Sequence, residues 1–251
     1  MNVKSFNTPQ KSNSATGSAS RPGYAVLHLL LTAVSADLLL LTVNRRTDLT
    51  LSFAAPNEFL RWTEVNNMLL GLVTVLLYYA LNSHVGARPG GERRDSRALG
   101  LIFTFGVYLY AMSYGSHEIT NYLNSRFCFD GSGSFCSIVD FNDNEFSHYL
   151  FFGGFIILNV TVMFTQFLSP ATRPISHLDN LLIAANALVI AAGIAANLAF
   201  ERIGADLYVV AAVAIMTVVM SRRLPGQPIL RYYAIAYVGG FSLAVAIIMT
   251  R

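Results

Sequence analysis

Apolar residues along this chain come in long blocks. Blocks near the ~20 residues that a helix needs to cross a bilayer occupy residues 24–44, 65–83, 98–121, 147–168, 180–199, 205–221 and 230–250. The sixth block is short, and the third runs on into polar residues. Together they predict an all-α, polytopic membrane protein with seven transmembrane helices in one bundle over residues 23–251. The blocks consume most of the chain and leave no soluble catalytic domain, so any chemistry must sit among the helices.

Composition points the same way. The chain has 251 residues, 54% of them hydrophobic and 12% charged, whereas a soluble domain carries about 25% charged residues. Too little polar surface remains to coat a water-soluble globule, and lipid is the expected solvent. Membrane lipids are therefore the expected partners, with no nucleic acid among them. Residues 1–22 are rich in Ser, Asn, Thr, Gln and Pro, and after Met1 their sizeable apolar residues are Val3 and Phe6. Such a segment reads as a flexible cytoplasmic tail. It lacks the early apolar core and cleavage site of a signal peptide. No internal repeat, P-loop, dinucleotide fingerprint or zinc-finger spacing is present.

Basic residues favour the cytoplasmic side of short loops. With seven spans, Lys4, Lys11, Arg21, Arg88, Arg93, Arg94, Arg97, Arg173, Arg222, Arg223 and Arg231 collect on one face. Arg45, Arg46, Arg61, Arg126, Arg202 and Arg251 collect on the other. The imbalance places the amino terminus in the cytoplasm and the carboxyl terminus outside or in a lumen, although Arg45 and Arg46 then flank the first span on the less usual side. The loop from Val85 to Arg97, with Pro89, Gly90, Gly91 and four arginines, reads as a cytoplasmic turn able to meet anionic headgroups. Cys128 and Cys136 fall in the external loop after the third span. A Gly-rich turn between them lets them meet as a disulfide, which persists in an oxidising compartment.

Ionisable groups inside a membrane span are costly and point to function by default. Ser113, His117 and Asn121 recur every four residues on one face of the third span, with Glu118 beside it. The fourth span opens with Asp143, Glu145 and His148, and Glu145 and His148 are three apart. Asp37 lies about two turns from the outer end of the first span, and Glu64 opens the second with Asn66 and Asn67. These groups are expected in one outer layer of the bilayer. Two histidines with several carboxylates suit zinc or another divalent metal. Three protein ligands and one open position would make a catalytic zinc site that activates water. The expected ligands are His117, His148 and one of Glu145, Asp143 or Glu118. Asp37 or Glu64 would serve as general base or orient an imidazole, and Ser113 would stabilise an oxyanion or hold a headgroup. A di-iron centre fits less well, because one Glu-x-x-His element is present where such bundles carry two.

The plainer reading is capping. Asp143 and Asn144 would N-cap the fourth span, and Glu145 and Glu64 would meet the positive ends of helix dipoles. That reading does not reach Asp37 or His117, which lie deeper. Gly153, Gly154, Gly193, Gly239 and Gly240 mark close helix packing. Trp62, Tyr78, Tyr79, Tyr232 and Tyr233 are expected in interfacial belts. Asn159, Asn186 and Asn197 suit interhelical hydrogen bonds. No lysine follows Lys11, which sets aside the retinal Schiff-base proteins.

Seven spans, an intramembrane Asp and the Ser113-x-x-x-His117 element resemble the superfamily of alkaline ceramidases and adiponectin receptors. That resemblance implies a seven-helix zinc hydrolase of lipid amides, with Asp143 or Glu145 as a loose counterpart of the family Asp. The inferred topology, amino terminus inside and carboxyl terminus outside, is similar to the receptor branch. The chain departs from the pattern in lacking the histidine pair of the last helix, since no histidine follows His177. Its candidate site also lies on the opposite face from that of the receptor branch. The leading expectation is a metal-dependent membrane hydrolase acting on a lipid or amphiphile. The alternative is a transporter, receptor or complex subunit that binds a cation through the same cluster.

Overall fold

Uninterrupted runs of Leu, Val, Ala, Ile and Phe satisfy their own backbone groups only as helices when water is absent. The computed structural model, which describes residues 24–54, 58–87, 97–129, 131, 133–200 and 204–250, is correspondingly helical. Its α-helices are α1 (Ala25–Arg46), α2 (Trp62–Gly86), α3 (Arg97–Phe127), α4 (Ser134–Phe141), α5 (Ser147–Leu168), α6 (His177–Phe200), α7 (Asp206–Arg223) and α8 (Pro228–Met249). The tail at 1–22 and Arg88, Arg93 and Arg94 of the basic loop lie outside the described residues.

α1 packs on α2, α2 on α3, α3 on α5, α5 on α8, α8 on α6, and α6 returns to α1, while α7 lies against α8 and α5. Leu31, Tyr78, Leu158, Ile183, Leu230 and Tyr237 sit in the core of this circuit. Large apolar side chains also cover its outside, among them Leu29, Leu101, Leu181 and Ile215. A bundle apolar on both faces is the pattern of helices that meet lipid. Among the described residues, six helices are long and apolar enough to cross a membrane, counting Ser134–Leu168 as one. The expected sixth span corresponds to α7, which has 18 residues and carries Asp206, Arg222 and Arg223 at its ends; it is not one of those six.

Three sequence expectations change. The fourth span does not begin at residue 147: helix starts at Ser134 and continues through a π-helical turn, Asn142–Phe146, into α5. Asp143 and Asn144 therefore lie inside a helix and do not cap one. Tyr78, Tyr232 and Tyr233 are buried, not interfacial, because their hydroxyl-bearing rings fill the bundle interior. Tyr78 Oη donates to Asn159 Oδ1 at 2.7 Å, and Asn159 Nδ2 donates to Tyr237 Oη at 2.8 Å. Of the expected small-residue contacts, Gly154 and Gly240 are tight. A Cβ on Gly154 would come within 2.6 Å of the Tyr110 backbone nitrogen, and one on Gly240 within 2.8 Å of Ile194. Gly193 faces open space.

Candidate functional site

Most of the polar residues singled out in the sequence gather between the second half of α3, the end of α1 and the starts of α2 and α5. The Cys128–Cys136 disulfide closes the α3–α4 loop at this end. The π turn decides which side chains of the α4–α5 segment enter the cluster. One extra residue in the turn re-phases the helix, and such bulges recur at functional sites. Here it brings Asp143, Ser147 and His148 round to α3, while Glu145 is exposed. Asp143 is 4% exposed, and its Oδ1 lies 2.8 Å from His117 Nδ1. That is ion-pairing distance, with the oxygen off the ring's N–H direction. Thr120 Oγ1 donates to the same Asp143 oxygen at 3.1 Å. The rings of His117 and His148 meet edge to face, their centroids 5.2 Å apart.

Two further carboxylates are already committed. Glu118, wholly buried, accepts from Arg45 at 2.9 Å and from Asn67 Nδ2 at 2.9 Å. Arg45 also lies over the Tyr114 ring, 5.6 Å from its centroid. Glu64 accepts from the Arg61 backbone N–H at 3.0 Å and from the Arg61 guanidinium, forming a capping box at the start of α2. The capping alternative thus holds for Glu64, whose hydrogen bonds from Arg61 occupy both of its oxygens. Asp37 lies deeper than the Arg45–Glu118 pair, about two turns from the end of α1 as expected. It lies eight residues before Arg45, about 12 Å along the helix at 1.5 Å per residue. Thr74 Oγ1 donates to its Oδ2 at 2.5 Å, and its Oδ1 is buried without a hydrogen bond among the described residues.

A small chamber of about 60 Å³ is lined by Arg45, Ser113, His117, Ser147, His148, Phe151 and Asn197. Ser113 is 2% exposed, and its hydroxyl makes no hydrogen bond among the described residues. Ser147 Oγ donates to the Asp143 backbone carbonyl at 2.5 Å. Next to the chamber lies a larger apolar cavity of about 430 Å³ between α1, α5 and α6, within the ~300–1,000 Å³ range of ligand pockets. It runs from Leu38 to Arg46 along α1, and Gly193 and Tyr237 also line it. Arg45, Phe151 and Asn197 line both spaces.

The donor set fits a metal only in part. Two imidazoles on one tetrahedral zinc, with Zn–N bonds of about 2.0–2.1 Å, would set their ring centroids about 5 Å apart. His117 and His148 have that spacing. The third ligand is what the arrangement lacks. Glu145 is exposed, Glu118 is held by Arg45, and Asp143 Oδ1 is turned to His117 itself. Among the described residues no three His, Cys, Asp or Glu side chains are grouped to hold an ion.

Sequence reasoning missed Arg45, Ser147 and Asn197 as members of the cluster. Arg45 carried a signal in its position at the end of an apolar run, across from a carboxylate that needs a counter-charge to be buried. Asn197 had none beyond its place in an apolar helix. Compared with family models, curated proteins and solved structures, the chain matches none.

Proposed function

We propose that this chain is a seven-span membrane protein, with α7 as the sixth span, that binds a lipid or other amphiphile at the Arg45 end of its bundle. The observation that carries the reading is the wall that the two spaces share. An apolar cavity meets a polar chamber across Arg45, Phe151 and Asn197. A hydrocarbon chain suits the gap between α1, α5 and α6, and a polar head suits Arg45, His117 and His148. The charge imbalance of the loops and the Cys128–Cys136 disulfide support an external or lumenal position for this end.

The test uses Gly193, which lines the cavity and whose missing Cβ would meet nothing within 4 Å. Gly193→Phe is designed to occupy that space from a position whose Cβ meets no neighbour. Wild-type protein in nanodiscs is expected to bind a fluorescent single-chain amphiphile in a saturable way, and Gly193→Phe to weaken that binding at least tenfold with unchanged thermal unfolding. Equal binding by both proteins would remove the reading.

A metal centre is the second reading, favoured by the imidazole spacing alone. It expects the purified protein to retain zinc or another divalent ion, and the His117→Ala/His148→Ala variant to lose it. Equal metal content in the two would end it.

A further inference from the structure

The contact between Asp143 and His117 gives the chamber a use that the spacing of the two imidazoles does not. On a planar imidazole, an Nδ1 turned to a carboxylate leaves Nε2 on the far side of the ring. His117 Nδ1 is turned to Asp143, whose own oxygen is steadied by Thr120. Ser113 stands one turn before His117 on the same face of α3 and lines the same 60 Å³ chamber, its hydroxyl uncommitted among the described residues. Ser147, the other hydroxyl of the chamber, already donates its proton to the Asp143 carbonyl. A buried carboxylate, an imidazole at ion-pairing distance from it and an unengaged serine hydroxyl are the parts that activate a serine nucleophile, and they are recognised by their roles and not by their order in a chain.

We propose that Ser113, His117 and Asp143 form a metal-independent acyl-transfer site that cleaves an ester or amide of the bound amphiphile. The inference rests on the amphiphile-binding reading above. Ser113 Oγ attacks the carbonyl carbon while its proton passes to His117 Nε2, and the carbonyl π pair moves onto oxygen. The developing oxyanion is met by the Asn197 side-chain amide and by the guanidinium N–H groups of Arg45 that Glu118 does not occupy, both of which line the chamber. The intermediate collapses, the bond to the leaving alcohol or amine breaks, and that group takes the proton from Nε2. Water then attacks the acyl-serine and gives its proton to Nε2. Ser113 leaves and recovers that proton, so that the products are a carboxylic acid and the alcohol or amine. Asp143 is a positioning residue that fixes the imidazole and stabilises its protonated form. Catalytic contacts of this kind are often loose without substrate and tighten in the complex, which suits the off-axis approach of Asp143 to His117.

The test is a long-chain alkyl fluorophosphonate, which phosphonylates activated serines, applied to the full chain in nanodiscs and mapped by peptide mass spectrometry. One adduct is expected, on Ser113, and Ser113→Ala abolishes it. His117→Ala slows labelling at least 100-fold, in line with the contribution of a general base. Asp143→Asn slows it and changes the pH profile of labelling, which a purely structural role would not do. Chelators leave the rate unchanged. Each variant is checked for an unaltered thermal unfolding transition.

The same alkyl probe without its P–F bond reports reversible binding by the wild type. Binding without an adduct on Ser113 overturns the acyl-transfer site and leaves the binding reading standing. Absence of both overturns the two together. Labelling that is abolished by a chelator and restored by zinc also overturns the proposal, because the imidazoles would then be metal ligands.

Discussion

Replacing Gly154 by alanine is expected to force α3 and α5 apart, and with them the two halves of the site. A Cβ at this position would stand 2.6 Å from the Tyr110 nitrogen, 2.9 Å from the Gly106 carbonyl oxygen and 2.9 Å from the Tyr110 Cα. All three are backbone atoms, so no rotamer change relieves the clash. Ordinary carbon contacts lie at about 3.5–4.0 Å, so the helices must separate locally by about 1 Å. Overpacking of this kind costs about 1–3 kcal/mol. Tyr110 lies seven residues before His117 and Gly154 six residues after His148, or about 10 Å and 9 Å along their helices. A rigid tilt over that distance stretches the 2.8 Å approach of Asp143 to His117. Gly153→Ala is the control on the next residue, since its Cβ would meet only Leu109 Cδ1 at 3.8 Å. Both variants are to be unfolded thermally and by denaturant in the same detergent. Gly154→Ala is expected to lose about 1–3 kcal/mol, and Gly153→Ala to stay close to wild type. Equal stability of the two would refute the close-packing argument.

Two further outcomes follow from the same geometry. Arg45→Ala strands the buried Glu118 with Asn67 as its remaining partner and is expected to cost about 3 kcal/mol, the lower end for a broken buried pair, because Arg45 is itself partly exposed. Adding Glu118→Gln is expected to recover part of that loss in detergent unfolding, and a double variant less stable than the single one would contradict the pairing. The Cys128–Cys136 bridge closes a short loop, and the chain-entropy relation gives about 2.5 kcal/mol for its loss. Reductant is expected to lower the unfolding midpoint and to open both thiols to maleimide, whereas both reacting without reductant would exclude the bridge.

Much of the architecture was legible because long apolar runs leave few choices. A run of apolar residues with no water to bond its backbone becomes a helix, so the ranges 24–44, 65–83 and 180–199 anticipated α1, α2 and α6 to within about three residues at either end, the usual scatter of helix boundaries being smaller by only a residue or so. The pairing of Cys128 with Cys136 was equally local, two thiols across a glycine turn. The meeting of α3 with the α4–α5 segment near His117 and His148 was also foreseen, because a short loop ties their ends to one depth.

Sequence could not fix which polar groups pair. Glu64, Glu118, Asp143 and Glu145 read alike as carboxylates near helix ends, yet one caps α2, one balances Arg45, one lies beside His117 and one faces outward. The π turn at Asn142–Phe146 made that choice for the last two. A single extra residue rotates everything after it, and no periodicity in Asn-Asp-Asn-Glu-Phe announces it. The cavity behind Arg45 is a property of the space left between α1, α5 and α6, which exists only once three segments distant in sequence have packed.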